Sequence, residues 1–455
     1  MEMILEFLRD VLSQPALLIG IMSCVGLIAL KRPFHKIMTG TLKPILGYLM
    51  LAAGAGVIVS NLDPLGKMIE HGFHITGVVP NNEAIVAVAQ KVLGVETMSI
   101  LVVGLLMNLL IARFTKFKYV FLTGHHSLFM ACLMSAVLGT AGLSGIELIL
   151  VGGFLMGAWS AISPAIGQSY TSKVTDGDEI ALGHFGSLGY YLSAWVAKYV
   201  GKAEESTEDI EIPEKWGFLR DSTLSTALTM IVFYLIAAIA AGSEFVATLS
   251  GSMSPYLFAV MSAMNFAVGV AIVYSGVRMI LGDLIPAFQG IATKIIPNAI
   301  PAVDCAVFFT YAPTAVVLGF ISSFIGGIIG MLILGAVGGV LIIPGLVPHF
   351  FCGATAGIYG NATGGRRGAA VGAFLNGLAI TFLPALALPV LGQLGFQNTT
   401  FGDADFAVMG LVLGNAYEWV GMAGIYGIVA IAALVLIVPN FIKTKGKVIN
   451  YVEED

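Results

Sequence analysis

Ionisable side chains are costly inside apolar segments, so each one found there is a candidate for chemistry. Asp304 is the sharpest, lying in Ala299-Ile-Pro-Ala-Val-Asp304-Cys-Ala-Val-Phe-Phe with no charged neighbour in sequence. A buried carboxylate can accept two or more hydroxyl hydrogen bonds, as recognition of a polyol needs. The plainer alternative is a partner for backbone N–H groups at a helix end, or for Arg278. His125 and His126 follow Thr123-Gly124 at the start of an apolar run, and His184 follows Gly183 inside a broken one. A histidine at membrane depth can both donate and accept, which suits a solute carrying hydroxyl and carbonyl oxygens. An interhelical hydrogen bond is the bland reading of each. Glu83, in Pro80-Asn81-Asn82-Glu83-Ala84, marks the matching place in the first half of the chain. His35, His71, His74 and His349 sit nearer segment ends and carry less weight.

Other chemistries find no support. There is no G-x-x-x-x-G-K-[ST] loop to drive the chain with a nucleotide and no H-E-x-x-H pair, and nothing suggests a bound metal or other cofactor. The four cysteines (Cys24, Cys132, Cys305, Cys352) lie in apolar segments without metal-ligand or disulfide spacing, and read as small hydrophobes. Gly142-Leu-Ser-Gly145 resembles the serine motif of an intramembrane protease, but a Gly-Ser turn between spans explains it better.

The elements that must position these residues are set by lipid. Of 455 residues 57% are hydrophobic and only 11% charged, and bilayer-length apolar runs recur from end to end. The fold class expected is an all-α polytopic membrane protein. Clear spans are Pro15–Leu30, Leu42–Leu62, Thr97–Ala112, Phe121–Gly139, Leu148–Ile166, Thr226–Ala241, Tyr256–Leu281, Val316–Val337, Ala370–Leu391 and Met422–Ile442. The first ends at Lys31-Arg32 rather than at a small-residue cleavage site, so it reads as a span and not a signal peptide. Shorter pieces interrupted by Gly and Pro lie between them: Val78–Gly94, Ile180–Val200, Ile295–Thr314, Val340–Ala356 and Phe406–Gly414. Irregular backbone persists at membrane depth only where protein or a watery cavity covers it, so a site is expected among these pieces.

Lys and Arg cluster at Lys31-Arg32 and Lys36, at Arg113, Lys116 and Lys118, across Lys173–Arg220, at Arg366-Arg367, and at Lys443 and Lys447. The positive-inside rule makes these cytoplasmic, with the N-terminus outside, the C-terminus inside and an odd number of crossings. The polar stretch Lys202–Asp221 is acidic and ends with Trp216 and Phe218. It reads as a solvated loop or as a docking surface for a cytoplasmic partner.

The chain also repeats. Val151-Gly-Gly-Phe154-Leu-Met-Gly157 returns as Val371-Gly-Ala-Phe374-Leu-Asn-Gly377, each copy reaching a proline seven residues later (Pro164, Pro384). Ile45-Leu-Gly47 returns as Ile280-Leu-Gly282, Val79-Pro-Asn81 as Ile296-Pro-Asn298, and Gly124 with Phe129 as Gly345 with Phe350. The matches keep their order roughly 220 residues apart, as internal repeats of a transporter do, with the solute near the midplane between broken helices. Residues 1–221 are expected to form one repeat and 222–420 a second, inverted one, with 421–455 a final crossing and tail. Each repeat carries re-entrant segments.

Several strings coincide with a known family: Leu122-Thr-Gly-His125, Lys173-Val-Thr-Asp-Gly177, Leu182-Gly-His184, Glu204-Glu-Ser-Thr-Glu-Asp209, Ala302-Val-Asp-Cys-Ala306, Tyr311-Ala-Pro-Thr-Ala-Val-Val317 and Leu341-Ile-Ile-Pro-Gly345. Together they resemble the ascorbate-specific permease (enzyme IIC) family of the bacterial phosphotransferase system, from the first span to the last. The resemblance implies a homodimer of eleven-span subunits in the inner membrane. Each subunit has a scaffold and a moving core that carries solute as an elevator. A separate cytoplasmic enzyme IIB, carrying a phosphocysteine, phosphorylates the solute on release. No cysteine of this chain lies in a polar loop, which agrees with a separate IIB; nucleic acid has no part.

By the same resemblance, solute contacts fall at Asn82 and Glu83, at His125, His126, Ser127, Leu128 and Phe129, at His184 and Phe185, and at Asp304. His184 or Asp304 would take the hydroxyl proton during phosphorylation. His125, His184 and Asp304 match the family pattern. Phe129 and Phe185 stand where the family has glutamines, and Asn82-Glu83 replaces a Thr-Tyr pair. An ionised Glu83 would repel the ascorbate anion, whereas a neutral sugar or polyol stacked on the two phenylalanines would suit the pocket. The expected solute is L-ascorbate, placed first, or a related sugar or polyol. A proton- or sodium-coupled carrier using Asp304 or Glu83 is the alternative, and a membrane-embedded enzyme, lacking a nucleophile–base pair, ranks last.

Overall fold

A computed structural model describes residues 14–74, 77–80, 82–210, 222–392 and 399–441. The expectations for Trp216, Phe218 and Lys443 to Lys447 fall outside these residues, and so does the Glu83 side chain.

The chain is built from α-helices joined by short strands. In order they are α1 (Pro15–Ala29), α2 (Phe34–Phe73), β1 (Val79–Pro80), α3 (Asn82–Phe114), β2 (Tyr119–Phe121), α4 (Gly124–Thr140), α5 (Gly145–Thr175), β3 (Ala181–Leu182), α6 (Ser187–Val200), α7 (Ser222–Ala241), α8 (Ser243–Ser250) and α9 (Pro255–Lys294). Then come β4 (Ile300–Val303), a 3-10 turn (Cys305–Thr310), α10 (Pro313–Ala336), α11 (Leu346–Gly392), β5 (Thr399–Thr400), α12 (Ala404–Val420) and α13 (Met422–Ile437). Among the described residues seven helices are long and apolar enough to cross a bilayer. An eighth is added if α7 and α8, bent by 117°, form one broken span. The protein is therefore a polytopic α-helical membrane protein. Residues 141–144, at the serine-motif resemblance, form the turn between α4 and α5.

The helices pack in two groups. In the first, α1, α2, α7 and α9 lie against one another. Helices α2 and α9 have 40 residues each, or ~60 Å at 1.5 Å per residue, about twice the hydrocarbon thickness. Each extends well past the span read from hydropathy. Their backbones touch at two glycine pairs: a Cβ on Gly276 would lie 2.6 Å from the Gly47 carbonyl oxygen, and one on Gly54 would lie 2.7 Å from that of Gly269. Lipid tails are as apolar as leucine, so close backbone approach through small residues is what holds such a pair together.

The second group holds α3 to α6 and α10 to α13, with α10 packed along α11 and α11 along α6. Helix α11 spans 47 residues with a break at Gly364 and Gly365. It joins the expected broken piece Val340–Ala356 and the span Ala370–Leu391 as two limbs. The acidic stretch after α6 is fastened there. The Arg366 amide donates to the Glu205 carbonyl (2.8 Å), and the Thr207 amide donates to Asn361 Oδ1 (2.8 Å). The Glu208 carboxylate accepts from the amides of Thr314 and Ala315, capping the start of α10. Residues 202–210 are thus pinned to the helical body rather than free in solvent.

Strand pairing between the halves is reciprocal. β1, from the first half, pairs in parallel with β5 and bridges through Val78 to Ile342, both from the second. β4, from the second half, lies between β2 and β3 of the first, parallel to both.

Candidate functional site

Each described strand is followed within four residues by a polar side chain that lines one cavity: Asn82 after β1, His125 after β2, His184 after β3, Asp304 after β4 and Asp403 after β5. The strands are two to four residues long, and every residue of β2, β3 and β4 is buried. A strand covered on both faces needs apolar side chains throughout, which Tyr119-Val-Phe121 and Ile300-Pro-Ala-Val303 supply. Parallel pairing then brings the carboxyl ends of β2, β3 and β4 to one edge, where His125, His184 and Asp304 emerge. Gly183 allows it: a Cβ there would sit 2.4 Å from the Ala302 carbonyl oxygen. A helix starts just past each strand, so several N-terminal ends, with their partial positive charge, also begin at the cavity.

The cavity holds about 960 Å³ and lies between α2 of the first helix group and the strand ends of the second. Asp304 fills the capping role read for it in sequence and also lies on the cavity wall. Its Oδ1 accepts from the Ala306 amide (3.0 Å), capping the 3-10 turn, and its Oδ2 lies 3.4 Å from His125 Nε2. Arg278 is exposed on α9 and forms no described ion pair with it. The His125 side chain is 40% exposed against 9% for Asp304, so His125 is the cavity-facing member and Asp304 the buried, capped one. Tyr48 on α2 closes the group, its hydroxyl 3.1 Å from His125 Nδ1.

His126 and His184 lie with ring centroids 3.7 Å apart. The Phe185 amide donates to His126 Nδ1 (3.3 Å), and the Gly186 amide donates to His184 Nδ1 (3.1 Å), which the Tyr190 hydroxyl also meets at 2.9 Å. A backbone amide can only donate, so both Nδ1 atoms are acceptors and both Nε2 atoms carry the proton. The 3.9 Å approach of His184 Nδ1 to Asp403 is consequently not an ion pair. The two imidazoles are neutral donors, with Nε2 the nitrogen left for a ligand.

The structure gathers Asn82, His125, His126, Phe129, His184 and Asp304 on the cavity wall. Phe129 meets the His125 and His126 rings at 5.8 and 5.7 Å. Three of the expected contacts lie off the wall. Phe185 is fully buried, stacked on Phe121 with centroids 4.6 Å apart, so it offers no stacking face to a solute. Ser127 turns its hydroxyl to the Thr123 carbonyl, and Leu128 is half-buried among apolar neighbours of α4.

Asp403 was not anticipated. It takes the Asn82 amide on Oδ2 (2.6 Å) and the Cys352 thiol on Oδ1 (2.9 Å), and the Gly402 amide returns to Asn82 Oδ1 (2.9 Å). Cys305 and Cys352 line the cavity, so these two are more than the small hydrophobes read from sequence. Behind the wall, Asp405 accepts from Ser187 Oγ, the Leu188 amide and Trp159 Nε1, fixing the start of α6 that follows His184.

Among the described residues two groups bring metal-binding atom types together: His126, His184 and Asp403, and His184, Asp304 and Cys305, with candidate atoms within 4.8 Å. A ligating imidazole ordinarily donates its second N–H to a partner. Here each Nδ1 lone pair of His126 and His184 already accepts an amide, which leaves the protonated nitrogen for the ligand. The donor set suits hydroxyl and carbonyl oxygens rather than a metal ion.

A polytopic helical body with a buried, hydrogen-bonding cavity at the ends of short strands is the build of a membrane permease for a small polar solute. Over residues 10–405 the chain matches the phosphotransferase-system sugar-specific permease component family (EIIC-GAT) and belongs to it. It is similar to the ascorbate-specific PTS system EIIC component of Mycoplasma pneumoniae, at 26% identity over 417 residues, covering 78% of this chain and 62% of that relative. The chain thus spans less than two thirds of the length of that curated relative.

Proposed function

We propose that this chain is the IIC permease of a phosphotransferase system. It takes a small hydroxylated solute, L-ascorbate or a related sugar or polyol, across the inner membrane to a separate phosphorylated enzyme IIB. The observation that carries the reading is the convergence of five strand ends, with Asn82, His125, His184, Asp304 and Asp403, on one cavity. Neutral donors on His126 and His184 face acceptors on Asp304 and Asp403, the mixture a polyol requires. As the solute's hydroxyl oxygen bonds to phosphorus and the S–P bond of the IIB phosphocysteine breaks, releasing the thiolate, Asp304 is placed to take the hydroxyl proton; of the two bases read from sequence, His184 is a donor at Nε2 because its Nδ1 accepts the Gly186 amide.

The finer architecture belongs to the same proposal. Residues 1–221 and 222–420 form two inverted repeats, followed by the crossing and tail of 421–455. Reciprocal strand pairing between the halves supports this, as do α2 and α9, equal in length and adjacent. Eleven crossings, with the N-terminus outside and the C-terminus cytoplasmic, would take in shorter helices such as α1, α4 and α12. The group containing α2 and α9 is the dimerising scaffold in lipid, and the other group is the elevator core. A cavity lying between the two groups fits such a sliding body.

The test is uptake by proteoliposomes containing this chain, with or without phosphorylated IIB inside. Accumulation of phosphorylated solute only with IIB supports the proposal. Accumulation of unmodified solute on a proton or sodium gradient, without IIB, replaces it with the ion-coupled carrier.

A further inference from the structure

The cavity's charges are unevenly matched. Among its described lining residues Lys67 and the His125 imidazole each already face a carboxylate: Lys67 Nζ lies 2.8 Å from Asp63, and His125 Nε2 lies 3.4 Å from Asp304, while the half-buried Glu70 adds a further acid to the lining with no described ion pair. His126 and His184 add no charge, because the amides on their Nδ1 atoms hold them neutral. Asp403 is left with neutral donors only, the Asn82 amide and the Cys352 thiol, one on each oxygen. Acceptance on both oxygens is the pattern of a carboxylate. Asp403, 5% exposed, is therefore a buried acid with no cationic partner among the described residues.

Helix starts offset only part of this. Each carries roughly half an elementary charge, and the one at α12 adjoins Asp403 itself. Asp405 meets the start of α6, and Asp304 meets the 3-10 turn. The amides opening α3, α4 and α11 remain, and they suit a hydroxyl or carbonyl oxygen as well as an anion.

We propose that Asp403 sets the charge preference of this site, selecting an uncharged polyhydroxylated solute over an anion. The inference rests on the permease reading and narrows its substrate class. A neutral polyol donates hydroxyls to Asp304 and Asp403 and accepts from the Nε2–H groups of His126 and His184. Ascorbate, an anion at neutral pH, places like charge beside Asp403 where little water screens it.

The test is calorimetric titration of the full chain in lipid nanodiscs with ascorbate, the uncharged L-gulono-1,4-lactone of similar skeleton, and the pentitols ribitol, xylitol and arabitol. At least one uncharged probe is expected to bind about tenfold or more tightly than ascorbate, the scale of a single like-charge contact at partial screening. Asp403→Asn, which keeps the side-chain shape, is expected to narrow that gap about tenfold by strengthening ascorbate. Ascorbate binding more tightly than every uncharged probe in the unaltered protein overturns the proposal. So does an unchanged gap in folded Asp403→Asn. The comparison on the unaltered protein decides the matter even if the variant fails to fold. Neither titration uses a phosphoryl donor, so failure of IIB-dependent uptake is a separate result and bears on the permease reading alone.

Discussion

His125 Nε2 and Asp304 Oδ2 lie 3.4 Å apart, although one residue follows β2 and the other follows β4. The contact exists because the two strands are parallel neighbours, Phe121 beside Ala302, so their carboxyl ends open on the same edge. Asp304 is fixed by its cap on the Ala306 amide and holds the exposed imidazole in place.

Asp304→Asn separates these duties. Asparagine still caps the 3-10 turn, while the charged acceptor is lost. Uptake is expected to fall about tenfold to a hundredfold, the scale of a charge-assisted hydrogen bond. Insertion and detergent elution should stay normal. Initial uptake rates in vesicles check this, and retained uptake rejects a role for the charge.

The tautomer of His184 makes a paired forecast. Asparagine replaces Nδ1 as the acceptor for the Gly186 amide but has nothing at Nε2; glutamine does the reverse. His184→Asn should bind solute about tenfold more weakly with melting temperature nearly unchanged, whereas His184→Gln should lose stability first. Titration and thermal melts of both variants measure the split, and the opposite order would reverse the assigned tautomer.

Glycine contact between α2 and α9 is tested away from the site. Gly276→Leu drives a side chain into the Gly47 carbonyl and should cost about 1–3 kcal/mol or more. A Cβ at Gly282 on α9 meets nothing within 4 Å, so Gly282→Ala should be nearly silent. Thermal unfolding in detergent compares the two, and equal effects would contradict the packing described.

Glu208 caps α10 from the polar stretch after α6. Glu208→Ala should cost about 1 kcal/mol and raise amide exchange at residues 202–210 and 314–316. Exchange unchanged in that stretch would mean the loop is held by other contacts.

How much of this was legible in the sequence depends on the range of each signal. His125, His184 and Asp304 stood out because an ionisable group in an apolar run is visible locally. Asp403 and Asp405 carry the same signal, but the apolar piece was bounded at Phe406, just past them. Tyr48, Tyr190 and Cys352 gave no warning, since tyrosine and cysteine within spans are ordinary and their partners His125, His184 and Asp403 lie far along the chain. Phe185 was misplaced from the wall because adjacency to His184 in sequence says nothing of which way a side chain turns after a strand. The strands, two to four residues long, are too short for any periodicity to reveal. The helices, set by long apolar runs, were legible, though hydropathy cut α2 and α9 to the part expected in lipid.

The central claim is that a small hydroxylated solute binds at the strand ends. The most direct measurement is a structure of the protein in lipid with saturating solute. The solute is expected between Asp304 and Asp403, within hydrogen-bond distance of Nε2 of His126 and His184. Density for it elsewhere in the protein, with those four side chains untouched, would contradict the account.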